Sequence, residues 1–232
     1  MVLAALADDP LGLLTSCRRL LDRQPAAGVL WWVCARLIEA ADARSEAVAI
    51  VRDLAVPAAL RSLCLDVPDR ATVAVVADPA GGSELADVLA SERGDLALLK
   101  LVDAADIADV LSPGLDAVVG RRQSAAPDAS TGSGTQVSGV SVVLVEPGAV
   151  GPERFLTLPG TGEAVASARA GGVPTWLVAQ TGRRLPGRLF DVVVRRATAC
   201  EAVPIGMVDR VIEPWQVGCP CPPELLRPAG GD

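Results

Sequence analysis

The chain contains no histidine and no tyrosine, and Lys100 is its only lysine. Without an imidazole, the Ser-His and Cys-His nucleophile systems, His-ligated zinc and histidine general bases are all excluded. Acid and base chemistry is left to Asp, Glu or Cys. Long apolar runs are missing as well. The longest, Ala26 to Ala35, is stopped by Arg36 and is too short to span a bilayer. Asp8 and Asp9 stand where a secretory leader would be apolar, so a cytoplasmic location is expected. Positive charge is in deficit: 21 basic against 28 acidic residues give a net charge of −7 and a pI of about 4.7. That balance argues against a nucleic-acid or membrane partner. Of the six cysteines, Cys219 and Cys221 form a Cys-x-Cys pair without structural-zinc spacing. No metal and no cofactor is expected, and the thiols read as small buried apolar groups of a reducing compartment.

What is present is a chain able to fold. Half of its 232 residues are hydrophobic and mean hydropathy is +0.38, enough for a sizeable core. Residues 1–68 are expected to be a helical subdomain and 69–232 an α/β domain. Leu14, Cys17 and Leu21 recur at helical spacing, and Leu30, Val33, Leu37 and Ala41 do so after Pro25. Ala47, Ile50, Val51 and Leu54 make a third stripe, and Pro57 opens a fourth helix with Leu60 and Leu63. Of the adjacent Trp31 and Trp32, at least one is expected in the core.

At Ala71 the period turns strand-like. Val73, Val75 and Val76 predict a buried strand, followed by Asp78, the small-residue loop Gly81-Gly82-Ser83 and a helix capped by Ser83. A strand at 96–102, a helix from Asp103 and a short strand at 116–119 come next. Residues 121–138, rich in Ser, Thr, Gly and Ala, read as a flexible insertion. The central unit then runs from Val140 to Pro186: a strand over 140–145, a loop with Gly160-Thr161-Gly162, a helix capped by Thr161, and a strand from Thr175 to Ala179 that leads into Arg183-Arg184. This is a parallel βαβ pattern. Phe190–Val194 is predicted as one more strand. Together these give a three-layer α/β/α arrangement with a mainly parallel, Rossmann-like sheet.

The central unit resembles the core of the translation initiation factor 2B α/β/δ-subunit family, which includes methylthioribose-1-phosphate and ribose-1,5-bisphosphate isomerases. The resemblance rests on Gly160-Thr161, on Gly172-Val173-Pro174 and on the length of helix between them, about a fifth of the chain. It implies a NagB/RpiA/CoA-transferase-like fold, a phosphorylated sugar or nucleotide as ligand, and a homodimer. It also exposes two departures. The family's Gly-Ala-Asp acid falls at Gly148, and its Asn-Lys falls at Thr157-Leu158.

Two features are expected to hold the phosphate. A helix N-terminus offers backbone N–H groups and a favourable dipole, which applies to Gly160, Thr161 and Gly162 and, more weakly, to Gly81, Gly82 and Ser83. Arg183 and Arg184 would supply guanidinium forks from the same sheet edge, unless they are solvated or paired with the surplus carboxylates. Glu146, at the end of the central strand, and Asp78 are the candidate acids. The expected function is a catalytically degenerate family member that binds a phosphorylated ligand or serves as a regulatory or scaffolding subunit. The other reading is an active aldose-ketose isomerase using relocated acids.

Overall fold

The computed structural model describes residues 9–55, 58–111, 139–213 and 218–226. The predicted strand at 116–119 and the insertion at 121–138 lie outside them.

Among the described residues four helices come first: α1 (Pro10–Arg23), α2 (Gly28–Glu39), α3 (Ala43–Leu54) and α4 (Ala58–Asp66). Asp9 and Asp42 cap α1 and α3 by accepting backbone N–H bonds, so two otherwise orphan helix ends are satisfied by carboxylates. The predicted stripes are right in period and shifted in detail. In α1 the buried positions are Leu13, Cys17 and Leu21, and in α3 Val51 and Leu54 face solvent. Both Trp31 and Trp32 are buried, because α2 is enclosed on more than one side. The Trp31 indole N–H donates to the Pro25 carbonyl at 3.0 Å, and Arg36, paired to Glu46 and Asp53, stacks 4.5 Å from the Trp32 ring.

A five-stranded parallel sheet follows, made of β1 (Thr72–Val76), β2 (Ala97–Leu101), β3 (Val142–Val145), β6 (Thr175–Val178) and β8 (Arg210–Ile212), in the spatial order β2-β1-β3-β6-β8. β1 and β3 are buried along their whole length, as their unbroken Val-rich runs require of central parallel strands. Helices α5 (Glu84–Glu92), α6 (Ala104–Leu111) and α7 (Thr161–Ala170) cross between strands. Leu85 and Leu89 of α5 join Leu63 of α4 on one face of the sheet. Ile107 of α6 and Val165 of α7 pack on the other. The α/β class and the mainly parallel sheet are as the sequence led us to expect.

Two elements differ from expectation. A second, antiparallel sheet, β4-β5-β7 (Ala149–Val150, Arg154–Thr157 and Glu201–Pro204), fills what reads in sequence as a loop. Segments of two and four residues are too short to show a period of two. The predicted strand at Phe190–Val194 is instead helix α8 (Gly187–Arg196). The valine run suggested a strand, but Leu189, Phe190 and Val193 share one buried face with Arg188, Asp191 and Arg195 turned away, and that 3.6-residue burial pattern prevails over β-propensity. Helix α9 (Pro223–Leu226) closes the described chain. The core of α1–α3 is shared with α8, with Ala149 and Leu156 of the small sheet, and with Leu225 of α9. Among the described residues, no helix is long and apolar enough to cross a membrane.

Candidate functional site

The carboxyl ends of β1, β3 and β6 leave the sheet side by side, the edge where ligands of open α/β sheets bind. Asp78 lies two residues beyond β1, Glu146 immediately beyond β3 and Gln180 two beyond β6. Both candidate acids and Arg183 meet there.

Glu146 is 3% exposed and fully engaged. One carboxylate oxygen accepts the Ser83 hydroxyl; the other accepts the Leu85 N–H at 3.1 Å and the Gln180 side-chain amide at 2.9 Å. Ser83 accepts the Ala86 N–H at 3.1 Å, so it caps α5 as its position predicts. Glu146 is therefore a second cap from across the sheet, a buried anion placed at the positive end of α5. Burial raises its pKa above the ordinary carboxylate value; the Ser83 and Leu85 bonds and the Arg183 charge pull the other way, and the Asp78 charge adds to the rise.

That shift has a definite sign. A carboxyl group whose folded pKa is raised contributes stability that is fully present below the unfolded value and is lost as pH rises through the folded value. We expect Glu146→Gln, which keeps an acceptor for Leu85 and offers an N–H to Ser83, to melt above wild type at pH 7. The gap should close toward pH 4. Paired thermal melts across that range check it, and a variant less stable at pH 7 than at pH 4 relative to wild type would contradict it.

Asp78 folds its own turn by accepting the Ala80 N–H at 2.9 Å, and its other oxygen pairs with Arg183 at 2.5 Å. Arg183 also donates to the Gly148 carbonyl at 3.3 Å. Arg184 pairs with Glu213 and donates to Gly151 O at 3.0 Å. Of the two readings open for these arginines, pairing with carboxylates is the one seen here. The half-exposed Cys200 thiol is pushed up by burial and by the nearby Asp78 charge, which makes it a poor nucleophile.

The other predicted cradle is built differently from expectation. Gly160, not Thr161, is the N-cap of α7, held at φ 86° where a side chain would be strained. Thr161 is the first helical residue and its buried hydroxyl donates back to Leu158 O at 2.7 Å. The Gly162 N–H donates to Glu201 of β7 at 3.3 Å, and a Cβ on Gly162 would stand 2.5 Å from that carboxylate. Both helix starts thus hold a carboxylate of the chain's own. Arg183 turns to Asp78 and the α7 start turns to Glu201, so the two halves of the expected phosphate site engage different partners. Gly81 and Gly82 remain exposed, at φ 99° and 98°, with nothing within 4 Å of where a Cβ would stand.

Gln180, Glu201 and Glu213 were not singled out in the sequence. Gln180 and Glu213 sit just past strand ends and Glu201 at a strand's first residue, positions that carry no periodic signal. Among the described residues, no three His, Cys, Asp or Glu side chains form a set that could hold a metal ion.

Solved structures carry the same architecture. The tetrameric eIF2B-beta2-delta2 complex from C. thermophilum contains a chain 16% identical, matched over 90% of this chain and 79% of that one with a TM-score of 0.55. The fold is that of the eIF2B subunits. The translation initiation factor eIF-2B of Pyrococcus horikoshii OT3 matches at 11% identity over 90% and 84% of the two chains, TM-score 0.57. eIF2B beta from Chaetomium thermophilum does so at 14% over 88% and 74%, TM-score 0.50. No family model and no curated protein matches the chain.

Proposed function

We propose that the chain is a catalytically degenerate protein of the eIF2B and sugar-phosphate-isomerase type, serving as a regulatory or scaffolding subunit of a larger assembly. The observation that carries this reading is the occupancy of the strand-end site by the chain itself. Glu146 and Glu201 take the two helix starts where a phosphate would sit, while Asp78 and Glu213 neutralise the two arginines that would grip it. A phosphate at either helix start would meet a carboxylate already in place, and displacing any one of the four carboxylates leaves a partly buried charge unpaired. The place of the family acid, Gly148, has no side chain. The eIF2B fold of a subunit in a tetrameric complex supports assembly as the retained role.

A second reading, a phosphorylated sugar or nucleotide bound at the loop, draws on Gly81 and Gly82, whose open backbone would admit a close-lying phosphate beside Ser83. One pair of experiments separates the two. Light scattering of the purified chain is expected to give a defined multiple of its 23.8 kDa, the homodimer first. A melting screen against sugar phosphates and nucleotides is expected to show no shift, since a ligand at one hundred times its dissociation constant would stabilise by about 2.7 kcal/mol. A saturable shift that Gly82→Val removes would favour the second reading, and a monodisperse monomer would sink the first.

A further inference from the structure

α1 and α2 form a helical hairpin closed by the short connection Gln24–Ala27, and Cys17 and Cys34 stand at equal distances before and after its centre. In such a hairpin, positions equidistant from the turn come to the same level, so the register alone brings the two residues opposite each other. Both side chains lie on the inward faces of their helices, are fully buried, carry free thiols and belong to one apolar cluster. A packing role asks only for small apolar groups at the two positions; it does not ask for two sulfurs facing each other at one level of the hairpin.

We propose that Cys17 and Cys34 are a reversible dithiol–disulfide pair that staples α1 to α2 under oxidation. Cys17 lies on α1, the helix whose release admits an oxidant, and is the attacking sulfur. With oxidised glutathione as the oxidant, the Cys17 thiolate attacks one glutathione sulfur, forms a mixed disulfide and releases one glutathione thiolate. Cys34, giving up its proton, then attacks the Cys17 sulfur and releases the second. Two protein thiols lose two protons and two electrons, and the glutathione disulfide is reduced to two thiols. Access is gated by the release of α1, which is tied down by the Arg18 bond to Glu224 O at 3.1 Å and by the Asp22–Arg196 pair at 3.2 Å. Oxidation is therefore slow in the native state and faster wherever α1 detaches. Once formed, the bond removes α1 detachment from the accessible fluctuations.

The experiment is peptide mapping by mass spectrometry after equilibration with oxidised glutathione, in buffer and in urea just below the unfolding midpoint. The expected product joins the peptides holding Cys17 and Cys34, leaves the other four of the six cysteines free, forms at least tenfold faster in urea, and melts about 5 °C or more higher until dithiothreitol reverses it. Cys34→Ala should abolish both the link and the shift; should that variant not fold, the wild-type mapping decides alone. Six free thiols at equilibrium in urea, or a predominant link between any other two cysteines, would overturn the proposal.

Discussion

Gly148→Asp is expected to destabilise the protein heavily instead of restoring an acid to the site. The Gly148 carbonyl accepts the Gly28 N–H at 2.7 Å, which draws the start of α2 onto the loop after β3. A Cβ at position 148 would stand 2.6 Å from the Ala26 carbonyl oxygen and 2.8 Å from the Pro79 ring. The first neighbour is backbone and the second a rigid ring, so neither can rotate away. Overpacking of this kind costs about 1 to 3 kcal/mol, and the carboxylate would add the cost of a charge pressed against a carbonyl without a partner. Gly148→Ala should show the steric part alone. Urea denaturation of the two variants checks both, with Gly148→Asp the less stable. An aspartate variant as stable as wild type would mean that position 148 has room for the acid after all.

How much of this was legible beforehand follows from residue patterns. The Val-rich runs of β1 and β3 announced central parallel strands, Ser83 announced its helix, and Gly160-Thr161 with Gly172-Val173-Pro174 placed the crossover. The candidate acids were also in view, because Glu146 and Asp78 follow strands whose carboxyl ends face one edge. What could not be read was partnership. Nothing in the local sequence says that Glu201, thirty-nine positions after Gly162, reaches its N–H, or that Arg183 turns back to Asp78 and not out to a ligand. Such pairs are set by tertiary geometry, whereas composition and period report only on local burial. The mistaken strand at 190–194 has the same origin: three valines favour a strand locally, and the core beneath Leu189, Phe190 and Val193 selects a helix.

Arg183→Ala is the second large effect, and it is an effect on folding. Asp78 is 9% exposed and its pairing oxygen depends on Arg183, whose side chain is 14% exposed. Removing one partner of a buried pair costs about 3 to 5 kcal/mol, and residual solvent contact puts this one near the lower end. The Gly148 carbonyl also loses a donor. Asp78→Asn combined with Arg183→Ala should be less destabilised than the sum of the single variants, because the unpaired charge is gone. A double-mutant cycle by urea denaturation reads the coupling directly. Were Arg183→Ala to keep full stability and lose only affinity for a phosphate ligand, the arginine would belong to a binding site and not to an internal pair.

The central claim is that the strand-end carboxylates are engaged by the chain itself and move no proton of a substrate. Its most direct test is turnover of ribose 1,5-bisphosphate and of methylthioribose 1-phosphate, followed by NMR for the appearance of the ketose, with wild type beside Glu146→Gln and Asp78→Asn. A general base removed from a working isomerase lowers the rate by about a hundredfold or more. The account predicts no ketose above the protein-free control for any of the three. Ketose formed by wild type and lost in Glu146→Gln, with the variant still folded, would contradict it and make Glu146 the acid of an active isomerase.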